Sequence, residues 1–339
     1  NQARNWEEFR AALRHWVVPA QNFVYADVEG NIGYQMPGDI PIRANGQGLV
    51  PVPGWTGEYE WTGYIPFDEL PSAYNPSTHF IATANNKVVP DDYPYFISYE
   101  WSAPYRAQRI VHLLTAQDKL SVQDFRQIQA DTYSILGEQL VPYLLALEPQ
   151  GTLEEQAMEQ LRAWDFHNEA DSSGAAIFQV FYLQLVENTF ADELGEELFE
   201  DYLGRDEFHH VALERLMKQP DSSWFDDVST SEVEERDEIL RRSFKGAIAY
   251  LSDRFGDTPA RWTWGRLHTM TFVHNPLGQS GIAPLEMLFN RGPIPARGSG
   301  YTVDAASFDY TEPFAVNHGV SYRQIIDLGD WGNSFFIHT

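Results

Sequence analysis

The 339 residues carry 23 Lys and Arg against 49 Asp and Glu, a formal net charge of -26, with 43% hydrophobic and 14% aromatic residues and no cysteine. That material suffices for a large buried core. The negative balance repels phosphate backbones and argues against nucleic acid as a partner, and the missing thiols remove disulfides, thiolate metal sites and a Cys nucleophile together.

The opening NQARNWEEF is polar and lacks an initial Met, so it reads as the interior of a longer gene product and not as a leader. Trp6, Phe9, Leu13 and Trp16 recur at three and four residues with charges between them, which predicts an amphipathic helix over 1–16. From about 19 to 105 the texture is strands and turns. Asn22–Asp27 has strand character, Glu29-Gly30-Asn31 is a turn, and Ile32–Gln35 resumes the strand. Pro37-Gly38, Pro51-Val52-Pro53-Gly54 and Leu70-Pro71 mark long ordered loops.

Helices are expected from Ala107 to about 255. Ser121 with Asp124 resembles a capping box before the amphipathic Val122, Phe125, Ile128 and Gln129, and Pro142 is expected to kink or end that helix. The acidic stretches Asp192–Glu207 and Glu232–Glu238 read as solvated helix faces. Strand and loop texture returns after Arg261 and runs to Phe336. No run approaches the roughly 18 apolar residues of a membrane span, and no fixed-period repeat or low-complexity linker divides the chain. It is therefore read as one α+β domain over 1–339, with sheet-bearing segments at 1–114 and 261–339 and a mainly helical insertion at 115–260.

Most short constellations fail as chemistry. His209 and His210 are adjacent and would point about 100° apart on a helix, and no HExxH spacing occurs, so no metal is assigned. His268 and His274 read as buried, hydrogen-bonded residues. Gly278-Gln279-Ser280-Gly281 approaches a nucleophile elbow but lacks its final Gly and its preceding strand, which favours a Gly-rich turn. Neither GxxxxGK[ST] nor GxGxxG is present. WTGEYEW (Trp55–Trp61) has two readings. Trp55, Tyr59 and Trp61 could stack a sugar beside an acid pair, Glu58 and Glu60. The same alternation is that of a half-buried strand with its aromatics inward.

Several segments, in order, resemble the β-subunit of penicillin acylases and the related acyl-homoserine-lactone acylases. They are NFVYADVEGNIGY (Asn22–Tyr34), IPIR (Ile40–Arg43), PVPGW (Pro51–Trp55), EWTGYI (Glu60–Ile65), IATANN (Ile81–Asn86), Tyr93-Pro94 and WSAPYRAQRI (Trp101–Ile110). Trp164-Asp165 and SYRQIIDL (Ser321–Leu328) add scattered agreement, while the match is dense over 3–115. The resemblance implies an N-terminal-nucleophile hydrolase with a four-layer αββα sandwich. Its reaction is hydrolysis of an N-acyl amide through an acyl-enzyme on a Ser that autocatalytic cleavage places first in the β-chain.

In such an enzyme the α-amino group of the nucleophile serves as base, which suits an amine that titrates near neutrality. Asn1 cannot be that nucleophile, so the Ser is expected upstream, continuation is expected beyond Thr339, and the 339 residues alone are expected to be inactive. The resemblance carries two roles onto this sequence. Asn85, the first Asn of ANN, donates to the oxyanion; Arg106 of WSAPYR orders the network around it. It also implies an acyl pocket near Gln21 and Phe23, where Gln21 replaces an apolar residue of the penicillin G acylases. Some of those enzymes hold a structural calcium, but after Tyr93-Pro94 this chain has Tyr95, Phe96, Ile97 and Ser98 in place of the expected carboxylate.

The expected partners are a small N-acyl amide and an α-subunit cut from the same precursor, in a periplasmic or extracellular setting, with no organic cofactor. A carbohydrate-active or carbohydrate-binding protein using Trp55, Tyr59 and Trp61 is the alternative of a different class. A catalytically dead scaffold is a third.

Overall fold

Asn5 opens the first helix, α1 (Trp6–Leu13), by accepting the Glu8 N–H on its side chain at 2.8 Å. This is a computed structural model that describes residues 2–204 and 206–338. Contacts divide the chain into Asn1–Ala107 with Ile326–Phe335, and Gln108–Ile325 with Phe336–Thr339.

In the first unit, β1 (Phe23–Ala26), β2 (Ile32–Gln35), β3 (Pro41–Arg43), β4 (Trp61–Tyr64) and β5 (Ser72–Tyr74) form two antiparallel sheets, β1-β2-β5 and β3-β4. The aromatic stripe of α1 lies on the first. Trp6 stacks on Tyr74 with centroids 5.3 Å apart, and Phe9 meets Tyr25 at 5.4 Å. The turn between β1 and β2 is held by Asp27, whose Oδ1 accepts the Asn31 N–H at 2.9 Å and the Glu29 N–H at 3.0 Å. A second apolar cluster, Tyr34, Met36, Ile40, Ile65 and Leu70, fills the other side and takes Ile81, Val88, Tyr95 and Ile97 from the loops that follow.

The second unit begins within α2 (Tyr105–Thr115). There follow α3 (Val122–Gln129), α4 (Ile135–Leu145), α5 (Thr152–Ala163), α6 (Ser173–Leu203), α7 (Asp206–Leu216), α8 (Arg236–Phe255) and α9 (Trp264–Leu267). The amino-terminal half of α6 is apolar on every side and is buried from Ser173 to Tyr182, with Leu185, Val186 and Phe190 beyond. A helix of that kind belongs at the centre of a bundle, and α5 and α8 pack on it. Gly195 breaks its helical course with φ 70°, a left-handed value open to glycine, and beyond it the acidic half is largely exposed. Trp164 fills the space left by two other glycines: a Cβ on Gly174 or Gly137 would lie 2.4 or 2.7 Å from its side chain.

The segment read as one helix ending at Pro142 is two helices, and Pro142 sits inside α4. The break comes earlier because residues 132–134 pair with another segment. Thr132 O accepts the Asn168 N–H at 3.0 Å, and Phe166 O accepts the Ser134 N–H at 2.8 Å. Ser134 then caps α4 through the Gly137 N–H at 3.0 Å. Arg109 fixes the junction with two hydrogen bonds to Asp131, 2.9 and 2.8 Å, and lies over the Tyr133 ring.

The remaining elements are β6 (Thr269–Phe272), α10 (Ala283–Phe289), β7 (Arg291–Pro295), β8 (Ala306–Ser307), β9 (Ala315–Val316), β10 (His318–Gly319), β11 (Tyr322–Ile325) and β12 (Phe335–His338). They make narrow sheets in the orders β7-β6-β9, β8-β10 and β11-β12. Their joint with the helices is His268, fully buried, stacked on Trp264 at 4.4 Å, with Nδ1 2.9 Å from the Phe314 carbonyl.

Candidate active site

Ile81 and Val88 are both anchored on the Tyr34–Leu70 cluster, so the chain between them must turn back on itself. It does so through Ala84-Asn85-Asn86, with Asn85 at φ 61°. Asn tolerates the left-handed region better than most residues because its short polar side chain finds local partners. The Asn85 carbonyl accepts the Ser102 N–H at 3.1 Å, which ties this turn to the segment entering α2. Asn86 closes the turn locally: its Oδ1 accepts the Ala84 N–H at 3.1 Å and its Nδ2 donates to the Lys87 carbonyl at 3.0 Å.

Tyr105, 1% exposed, buries the start of α2, and Arg106 in that first turn donates from Nη2 to Asn85 Oδ1 at 2.9 Å. A guanidinium has no acceptor, so the contact fixes which end of the Asn85 amide faces it. Nδ2 is thereby turned away from Arg106. Among the described residues no acceptor takes its hydrogens, and the side chain is exposed. The arrangement is a neutral donor, oriented by a cation and set on a constrained turn. Such a group stabilises an anionic oxygen without taking a proton from a neighbouring base.

Of the two expected substrate-binding residues, Gln21 precedes β1 and Phe23 begins it. Gln21 is exposed, and Phe23 is half-buried with its ring against Trp16 at 5.0 Å and Phe9 at 6.5 Å. No described hydrogen bond or ring contact links either residue to Asn85 or Arg106. Tyr95 and Ile97 pack on the apolar cluster, and Phe96 packs on Tyr99 at 4.8 Å. Among the described residues no group of three or more His, Asp or Glu gathers in a metal-binding arrangement.

The strand reading of WTGEYEW is corrected. Only Trp61 onward is strand, Trp55 is 89% exposed and Trp61 59%, and Glu58 and Glu60 face solvent. Trp55 and Trp61 face outward while Tyr59 is half-buried, and the described cavities do not gather them with the two carboxylates. His274 is exposed and not buried, lying 5.2 Å from Phe289, because its loop leaves the sheet that covers His268. Ser280 lies in a turn where its Oγ accepts the Ile282 N–H at 3.2 Å. No described helix is long and apolar enough to cross a membrane.

One cluster had no signal in the sequence. Asp304, 7% exposed, accepts Arg297 Nε at 3.1 Å and Nη2 at 3.0 Å, and also Arg323 Nη2. These residues border a cavity of about 590 Å³ walled by Met270, Phe272 and Ile294. They come from separate loops and a strand, so no local spacing announces them.

The family model described as penicillin amidase matches residues 1–339. Acyl-homoserine lactone acylase QuiP of Pseudomonas fluorescens (strain Pf0-1) is 31% identical over 346 residues, which covers 97% of this chain and 41% of that protein. Penicillin acylase 2 proenzyme of Pseudomonas sp. (strain SE83) is 32% identical over 336 residues, 96% of this chain and 41% of that protein. A solved thermostable penicillin G acylase from Alcaligenes faecalis matches with a TM-score of 0.60 at 25% identity, covering 77% of this chain and 52% of that one. The chain thus spans 41% of the length of these two sequence relatives.

Proposed function

The chain belongs to the penicillin amidase family and has the α+β fold of an N-terminal-nucleophile hydrolase, and from that premise we propose that it supplies the oxyanion side of an amide-hydrolysing active site. The substrate class is an N-acyl amide, the acylated amine of a β-lactam nucleus or of a homoserine lactone, in keeping with the names of its relatives. The nucleophile is a Ser outside these 339 residues. Its hydroxyl attacks the amide carbonyl while its own α-amine takes the proton, and the carbonyl oxygen becomes anionic. Asn85 Nδ2 donates to that oxygen, and Arg106 holds the amide by its other end. Collapse of the tetrahedral species expels the amine, which leaves with the proton. Water then cleaves the acyl ester by the same route in reverse roles and releases the carboxylic acid.

The observation that carries this reading is the 2.9 Å bond from Arg106 Nη2 to the side-chain oxygen of Asn85, Oδ1, which leaves the donor end of that amide facing away from the guanidinium. A subunit derived from the same precursor and a periplasmic or extracellular location belong to the same proposal. The test is amine release by the complete enzyme from a panel of phenylacetyl amides and N-acyl-homoserine lactones of graded chain length. Turnover on one class sets the acyl preference. No release from any member of the panel would remove the assignment.

A further inference from the structure

Asn86 makes two side-chain hydrogen bonds, and both go to backbone on either side of Asn85. Its Oδ1 accepts the Ala84 N–H at 3.1 Å and its Nδ2 donates to the Lys87 carbonyl at 3.0 Å. The ring closed by the first bond runs from the Ala84 nitrogen through the whole Asn85 backbone to the Asn86 amide. It therefore contains both soft dihedrals of Asn85, including the φ of 61°. An L residue freed from such a ring relaxes towards negative φ. That relaxation swings the Cα–Cβ bond and carries Oδ1 away from Arg106 Nη2, which now lies 2.9 Å from it. The Ser102 N–H holds the Asn85 carbonyl but leaves φ of Asn85 free to turn.

We propose that Asn86 is a positioning residue for the acyl-transfer reaction: its two-ended clasp holds Asn85 in the left-handed conformation from which the Asn85 amide reaches the oxyanion. This rests on the reading of Asn85 as oxyanion donor. It assigns Asn86 no contact with substrate.

The test uses the complete enzyme in five forms: wild type, Asn86→Ala, Asn85→Gly, the double variant of these two, and Asn86→Asp. All are measured in the steady state for kcat and KM, and by single turnover so that slow enzymes still give a rate to set against wild type. Asn85→Gly deletes the amide and also removes the penalty on positive φ, so nothing remains for the clasp to position. Asn86→Ala should lower kcat by roughly tenfold or more with KM within about threefold, the pattern of an interaction felt mainly in the transition state. In the Asn85→Gly background the same change should alter kcat by less than about twofold, the non-additivity of two residues acting as a unit. Asn86→Asp keeps an acceptor for Ala84 and with it the ring around Asn85, so it should hold kcat within about threefold of wild type, and a tenfold loss there would overturn the role given to that ring whether or not Asn86→Ala folds.

Wild-type kcat in Asn86→Ala, or an equal loss with and without the Asn85 amide, would overturn the role of Asn86. Undiminished turnover in Asn85→Gly would instead remove Asn85 from the oxyanion site, and the inference with it.

Discussion

Asn85→Asp exchanges the amide NH₂ for an oxygen of nearly the same shape and so isolates the donor from the fold. Arg106 keeps an acceptor at the position it now reaches at 2.9 Å, and the contact becomes charge-assisted. Asp tolerates the φ of 61° about as well as Asn. The folded state should therefore be nearly as stable, with Tm within about 3 °C of wild type. The transition state loses its donor, which costs about 3–4 kcal/mol. It also meets a carboxylate in place of a donor. The side chain is exposed and Arg106 lies against it, so the added repulsion is screened towards about 1 kcal/mol. The sum places kcat about a thousandfold below wild type with KM little changed, read as amine release under saturating substrate. A variant within about tenfold of wild-type kcat would refute the assignment of Asn85.

The salt bridge that fixes the α3–α4 junction makes a stability prediction. Arg109→Ala strips two hydrogen bonds from Asp131, whose side chain is 8% exposed. Leaving that carboxylate buried and unmatched should cost about 3 kcal/mol, a fall of about 10 °C in Tm; a shift below about 2 °C would show the pair to be dispensable. His268 makes a pH prediction. Burial pushes its pKa down to about 4, partly offset by the hydrogen bond to the Phe314 carbonyl. The neutral ring is thus favoured in the fold, so its full contribution is present above pH 6.5 and is lost as pH falls from 6.5 through 4, by roughly 3 kcal/mol in total. Denaturant midpoints at pH 7 and pH 4.5 should show His268→Gln gaining on wild type as the solution is acidified, and a gap independent of pH would contradict it.

Local patterns in the sequence located what local physics determines. The period of Trp6, Phe9 and Leu13 marked α1, alternation marked β1 and β2, and the capping box of Ser121 and Asp124 is present with both bonds made. What escaped was decided by partners far along the chain. The α3–α4 break exists because Thr132 and Ser134 bond to the segment around Phe166 and Asn168. Trp55 points outward because the loop that carries it never joins a sheet, which alternation alone does not reveal. Asn85 and Arg106 were singled out by the resemblance and not by any pattern of composition or spacing. Their contact spans 21 positions, and neither it nor the backbone reversal at Asn85 follows from composition or spacing.

Trp164 also hydrogen-bonds through Nε1 to the His167 carbonyl at 2.8 Å, so its indole is both wedge and latch for the loop joining α5 to α6. Because the ring lies where side chains on Gly137 and Gly174 would begin, these three positions form one unit of variation. A lineage can enlarge either glycine only after the indole has shrunk, and a smaller residue at 164 leaves a void until the glycines grow. Drift through single steps is blocked in both directions, so related chains should keep the trio intact or replace it together.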